Sequence, residues 1–134
     1  MNTHVVVDAS AMVAVLLDSG EDGQWAAAQV SGASISAPAL MQFEVANIIR
    51  RCESAGLISS DAAAQAHADC QHRAMDLWPY ELLAARVWQL RHNLTTYDAS
   101  YVALAELLSA PLVTLDHRIS KAPGLHCEVL VPDH

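Results

Sequence analysis

The sequence predicts a three-layer α/β/α domain around a central parallel sheet, and three observations carry that prediction. Short β-branched or alternating runs are separated by longer stretches of helical periodicity, the pattern of a parallel sheet buried between helical layers. The 134 residues are enough for one such core and few for two, so residues 1–134 read as a single domain. Acidic residues end two of the predicted strands, at the edge where open α/β sheets bind ligands.

The elements follow in order. His4 to Asp8 (HVVVD) is a β-branched run suited to a buried strand. Helical spacing begins at Ser10, with Met12, Val13, Leu16 and Leu17 on one face and Gly20 as the stop. Glu21 to Val30 is a second helix carrying Trp25, and Ala33 to Ala37 alternates as a strand before Pro38. Pro38 suits the first turn of a long helix that runs to about Ala55, with Gly56 as its stop. Ser59-Ser60-Asp61 opens an alanine-rich helix through His72, and Ala74 to Trp78 is a short strand before Pro79. Glu81 to His92 has the apolar spacing of an amphipathic helix, with Leu82, Leu83, Val87 and Leu90. Asp98 to Leu108 is the next helix, and Pro111 to Asp116 and Glu128 to Val131 are the closing strands.

Composition narrows the function. Seven Lys and Arg stand against fifteen Asp and Glu, a formal charge of −8, which argues against a simple electrostatic nucleic-acid binder. A nucleic-acid substrate would need positive charge from a carboxylate-held divalent cation or from a basic partner. The 53% hydrophobic content is slightly high for a small monomer and points to apolar surface covered by a partner. No stretch approaches the roughly 18 apolar residues of a membrane span, and Met-Asn-Thr-His carries no basic n-region, so a soluble cytoplasmic protein is expected. Cys52, Cys70 and Cys127 form no C-x-x-C pair and read as reduced thiols. His67, Cys70 and His72 do not share a helical face well, which disfavours a zinc cluster there. Trp25, Trp78 and Trp88 read as core or dimer contacts more readily than as stacking platforms.

Four acids stand out. Asp8 follows Val5-Val6-Val7 and Asp116 follows Leu112-Val113-Thr114-Leu115, so both sit at strand ends. Asp98 opens a helix on what should be the same edge. Glu44 falls at the margin of the stripe Met41, Val45, Ile48, Ile49 and Cys52, with Arg51 two turns further on. Bland roles compete with this view. Asp98 taken alone reads equally well as a helix N-cap, Asp8 as a turn residue, and Asp116-His117-Arg118 as an exposed turn with a local ion pair. Gathered in one cleft, the four carboxylates would repel one another. An all-oxygen set of this kind suits Mg²⁺ or Mn²⁺, and the matching chemistry is phosphodiester hydrolysis by water that the cation activates.

The segments Val6-Val7-Asp8-Ala9-Ser10-Ala11, Phe43-Glu44-Val45-Ala46-Asn47, Thr96 to Ala105 (TYDASYVALA) and Leu112-Val113-Thr114-Leu115-Asp116 resemble, in order and spacing, the PIN-domain nucleases. The likeness is strongest to the VapC-type toxins of bacterial type II toxin–antitoxin pairs. The resemblance implies that Asp8, Glu44, Asp98 and Asp116 are the metal-binding and catalytic acids, with Ser10, Asn47 and Thr96 as supporting groups. It further implies a Mg²⁺- or Mn²⁺-dependent endoribonuclease acting on structured RNA such as tRNA or rRNA. A homodimer neutralised by a small VapB-type antitoxin belongs to the same expectation. Arg51 and Arg118 are the candidate RNA contacts nearest the acids, with solvated surface or local ion pairing as the plain reading. The alternative function is a non-catalytic regulatory module, neutralised or released by a basic peptide. Two rival enzyme-like readings fail on named residues. A receiver domain would show paired acids after its first strand, and a haloacid-dehalogenase-type phosphatase would carry Asp where Ser10 stands.

Overall fold

The computed structural model describes residues 3–134; Met1 and Asn2, which belong to the N-terminal stretch read above, lie outside the described residues. Five strands carry the sheet: β1 (Thr3–Val7), β2 (Ala33–Pro38), β3 (Asp76–Trp78), β4 (Leu112–Val113) and β5 (Val129–Leu130). Between them run α1 (Ala9–Leu17), α2 (Glu21–Val30), α3 (Met41–Ser54), α4 (Ser60–His72), α5 (Ala84–Gln89), α6 (Thr96–Leu108) and α7 (His117–Ser120).

The strand order is β3-β2-β1-β4-β5, every pair parallel. The chain first steps outward from β1 through β2 to β3, then crosses back to β4 and on to β5. Right-handed crossovers therefore place α1 to α4 on one face and α5 to α7 on the other. The packing agrees: α1 contacts α2, α3 and α4, whereas α6 contacts α5, β1, β2 and β4. The predicted three-layer α/β/α architecture is the one observed. The reversal of direction falls between β1 and β4, where Val6 pairs Leu112 and Val7 pairs Val113. At such a switch point the two loops leave in opposite directions and open a crevice at the carboxyl ends of the strands.

The core is mostly small and branched: Val5, Val6, Val7, Ala11, Ala37, Val45, Ala99, Val102, Leu104 and Val113 are all buried. The many alanines let helices approach the sheet closely. Gly23 has a similar role, because a Cβ there would stand 1.6 Å from the Asp18 carbonyl oxygen at the α1–α2 corner. Gly56 ends α3 as predicted, at φ +76°; Leu57 and Gly56 donate back to the carbonyls of Cys52 and Glu53, closing the last turn.

Several expected boundaries are corrected. The long helix starts at Met41, not Pro38, because Pro38 pairs with Trp78 as the last residue of β2. The span 81–92 is not one helix. A 3-10 turn at Tyr80–Leu82 gives way at Leu83 to the short α5; Val87 and the flanking Leu83 and Leu90 are buried, whereas Leu82 and Trp88 are each 60% exposed. The helix expected from Asp98 begins at Thr96 with Thr95 as its cap. The strand expected over Pro111–Asp116 keeps regular pairing only at Leu112 and Val113. The supposed turn after Asp116 is the one-turn α7. No helix among the described residues is long and apolar enough to cross a membrane.

Candidate active site

Asp8 is the best-held of the four acids. It is the N-cap of α1, directly after β1, and only 6% exposed. Its Oδ1 accepts from the Ala11 amide at 3.0 Å and from Ser10 Oγ at 2.7 Å, and its Oδ2 accepts from Thr114 Oγ1 at 2.5 Å. Each hydroxyl has one proton, and both protons are spent on Asp8. Their lone pairs then accept from the loop after β4: Leu115 N reaches Ser10 Oγ at 3.1 Å, and Asp116 N reaches Thr114 Oγ1 at 3.0 Å. Ser10 and Thr114 thus tie the two loops of the switch point to one carboxylate. Burial pushes the Asp8 carboxyl above its ordinary range and repulsion from Asp98 adds to this, while Thr114, Ser10 and the Ala11 amide pull it down.

Glu44 lies half-buried in the first turn of α3. Tyr101, on α6, donates its hydroxyl to Glu44 Oε1 at 2.5 Å. Burial raises the Glu44 carboxyl, Tyr101 lowers it, and Asp98 and Asp8 raise it further. Asp98 sits in the first turn of α6. The capping role that the bland reading offered for it belongs to Thr95, whose hydroxyl accepts from the Asp98 amide at 3.1 Å, and the Asp98 carboxylate lines the cleft. Burial and then Asp116 hold the Asp98 carboxyl high, against smaller lowering effects of Thr95 and Arg118.

Asp116 does cap a helix. Its Oδ1 accepts from the Arg118 amide at 2.9 Å. The Arg118 guanidinium grips the same carboxylate with Nε at 3.0 Å and Nη2 at 2.7 Å, which holds Asp116 below its ordinary range. Arg118 is 87% exposed, so this pair is weak in water and easily exchanged. Asp98, Asp116 and Arg118 line a cleft of about 240 Å³ with Asn93, Leu94, Thr95 and Ile119.

The structure brings Asp8, Glu44, Asp98 and Asp116 to one edge, where their charges act on one another. Among the described residues, no three His, Cys, Asp or Glu side chains already converge to ligate one ion. The donors are nonetheless all carboxylate oxygens, the set that hard divalent cations prefer. Ser10 joins the cluster. Asn47 does not: its Oδ1 is taken by Arg50 at 3.0 and 2.9 Å, on the exposed side of α3. Thr96 faces a separate apolar groove with Leu40, Trp78, Tyr97 and Ser100. Arg51 is exposed in the last turn of α3. Thr114 and Tyr101 are the polar groups that sequence reasoning passed over. Thr114 lay inside a β-forming run, and Tyr101 lay on the apolar face of a helix. The available signal was that each is a hydroxyl two or three residues from a candidate acid.

A parallel α/β domain with mutually repelling acids at its switch point belongs to the class of folds that concentrate anionic side chains around a polar cleft at strand ends. Within that class the chain belongs to the PIN domain family, whose model matches residues 5–125. Ribonuclease VapC9 of Mycobacterium tuberculosis is 37% identical over 127 residues, covering 95% of this chain and 97% of that protein. Ribonuclease VapC1 of the same organism is 38% identical over 133 residues, covering 92% and 94%. VapBC2 from Rickettsia felis, solved bound to a DNA fragment from its promoter, superposes with a TM-score of 0.63 at 11% identity, covering 95% of this chain and 98% of that one. At that identity the likeness is one of fold.

Proposed function

We propose that this chain is a Mg²⁺- or Mn²⁺-dependent endoribonuclease, the toxin of a type II toxin–antitoxin pair. The observation that carries this reading is the gathering of Asp8, Glu44, Asp98 and Asp116 at the β1–β4 switch point, with Asp8 buried and held by three donors. Burying mutually repelling carboxylates costs stability and is sustained by function. The names of the VapC relatives as ribonucleases support the same activity. The non-catalytic module gains no support from a cluster built at such cost.

The four acids would hold the cation. When bound, it neutralises charge on the phosphodiester and lowers the pKa of a water molecule. The protein's own residues do the rest. Ser10 and Thr114 keep both Asp8 oxygens facing donors, so that carboxylate cannot rotate away. Glu44 and Asp98 reach the same edge from opposite helical layers, which places a carboxylate on either side of the cleft within reach of a reacting water. The water oxygen forms the new bond to phosphorus as the bond to the leaving ribose oxygen breaks. One of these carboxylates takes the water proton, and the leaving ribose oxygen takes a proton from the carboxylic acid so formed or from solvent water.

Arg118 and Arg51 would meet RNA phosphates flanking the scissile bond. Arg118→Ala should raise KM with little change in kcat, and an unchanged KM would remove Arg118 from the RNA surface. A structured RNA such as tRNA or rRNA is the proposed substrate, and the bacterial cytoplasm the proposed location. A VapB-type antitoxin is the proposed partner, supported by the fold shared with VapBC2. A homodimer would cover the exposed Tyr80, Leu82 and Trp88. The test is to incubate antitoxin-free protein with total bacterial RNA, with and without Mg²⁺ or Mn²⁺, beside Asp8→Asn. Discrete cleavage that needs the metal and is lost in the variant is the expected result. Folded protein with no cleavage under either metal would overturn the reading.

A further inference from the structure

Tyr101 stands one turn after Asp98 on α6, so the two side chains are neighbours along that helix. It is 2% exposed and its ring belongs to the hydrophobic core. A core tyrosine needs only one acceptor for its hydroxyl, and a backbone carbonyl would serve. Here the acceptor is Glu44 Oε1, 57 residues away on α3. Since α3 and α6 cover opposite faces of the sheet, this bond joins the two helical layers at the edge that carries the acids.

Glu44 has reason to move without it. Asp8 and Asp98 both repel it, and it is only half-buried. Three hydrogen-bond donors fix Asp8, and Arg118 grips Asp116. For Glu44 the Tyr101 hydroxyl is the hydrogen-bond donor seen among the described residues. A phenylalanine would fill the same core volume, so the hydroxyl contributes nothing to packing that the ring does not already supply.

We propose that Tyr101 is a positioning residue for the acid cluster: its hydroxyl commits one oxygen of Glu44 to the protein and presents the other for a divalent cation. This rests on the metal-dependent reading above. It makes Glu44 a one-oxygen ligand whose placement depends on α6, the helix that also carries Asp98. Two acids from opposite layers are thereby kept in register by one buried bond.

The experiment measures Mn²⁺ affinity by calorimetry on the intact chain without RNA, with thermal melts to confirm folding. The variants are Tyr101→Phe, Glu44→Gln, the double variant and Glu44→Asp. Loss of an outer hydrogen bond to a metal ligand typically weakens binding about 10- to 100-fold, and that loss is expected for Tyr101→Phe. In the Glu44→Gln background the same change should cost nothing more, because the group it acts through is gone. Glu44→Asp keeps the charge but withdraws it from Tyr101 and should lose a similar factor, which keeps the test open if the phenylalanine variant folds poorly. Wild-type affinity in either Tyr101→Phe or Glu44→Asp would overturn the proposal. So would an equal loss from Tyr101→Phe in both backgrounds, which would assign the effect to packing. Failure of the wild-type chain to bind Mn²⁺ at all would overturn the metal reading itself, a result distinct from these.

Discussion

Thr114→Val isolates the bond that joins the two loops of the switch point. Valine has nearly the shape of threonine, so the fully buried site is not emptied, and only the hydroxyl is lost. Two interactions go with it. Asp8 Oδ2 loses its donor at 2.5 Å, and the Asp116 amide loses its acceptor at 3.0 Å. A hydrogen bond to a charged group contributes about 1.5–3 kcal/mol, and an orphaned amide at this partly exposed position about 1 kcal/mol. Burying a methyl in place of the hydroxyl returns about 0.8 kcal/mol. The net loss is about 2–3 kcal/mol, a large share of the roughly 5–15 kcal/mol that holds a domain together. Urea unfolding of the metal-free protein at pH 7 should show the midpoint falling by roughly 1–2 M with the slope unchanged. Thr114→Ser, which restores the hydroxyl, should recover most of it. An unchanged midpoint in Thr114→Val would show that Asp8 is satisfied without Thr114, and the account of the switch point would be wrong.

A second outcome follows from the repulsion among the acids. Asp98 has its carboxyl raised above the unfolded value of 3.8, by burial first and then by Asp116. The folded state therefore binds that proton more tightly than the unfolded state, and the ionised form costs stability that disappears as pH falls through the raised value. Asp98→Asn should stabilise the metal-free protein at pH 7 by about 1 kcal/mol after solvent screening, roughly 3–5 °C in Tm. The gain should shrink towards pH 4, and Tm that does not change with pH relative to wild type would refute it. Away from the acids, Arg86 grips Glu106 with two nitrogens and also donates to the Gly124 carbonyl, while Glu106 accepts from the His126 amide at 2.7 Å. Glu106→Gln should lower stability by about 1–3 kcal/mol in urea melts, by loosening the segment that leads into β5, and should leave kcat intact. A lowered kcat with unchanged stability would place that segment in the site.

The parts of this fold that were legible are those governed by local pattern. Val5-Val6-Val7 before Asp8 marks a buried strand and its functional end, and the phase of Glu44 against Val45 and Ile49 marks a residue at the core margin. The shared edge of Asp8, Asp98 and Asp116 follows from the alternation of strands and helices. What escaped depends on distant partners or on too few residues. Thr114 looks like any β-former until β4 is laid beside β1 and its hydroxyl meets Asp8. Tyr101 looks like core until α6 is set against α3. The one-turn α7 is too short for periodicity to show. The need for glycine at position 23 arises only from the closeness of the Asp18 carbonyl. The 81–92 stretch misled because Leu83, Val87 and Leu90 keep helical spacing and are buried, while Leu82 belongs to a 3-10 turn and stays exposed.

The proposed function rests on the acids at the switch point holding a divalent cation that RNA cleavage requires. Its most direct test is cleavage of RNA over graded Mn²⁺ in metal-stripped protein, set beside calorimetric Mn²⁺ binding, for the wild-type chain and Asp8→Asn, Glu44→Gln, Asp98→Asn and Asp116→Asn. Each amide variant should weaken binding and shift or abolish cleavage together. Cleavage that persists in chelator, or that survives in variants no longer binding Mn²⁺, would contradict it.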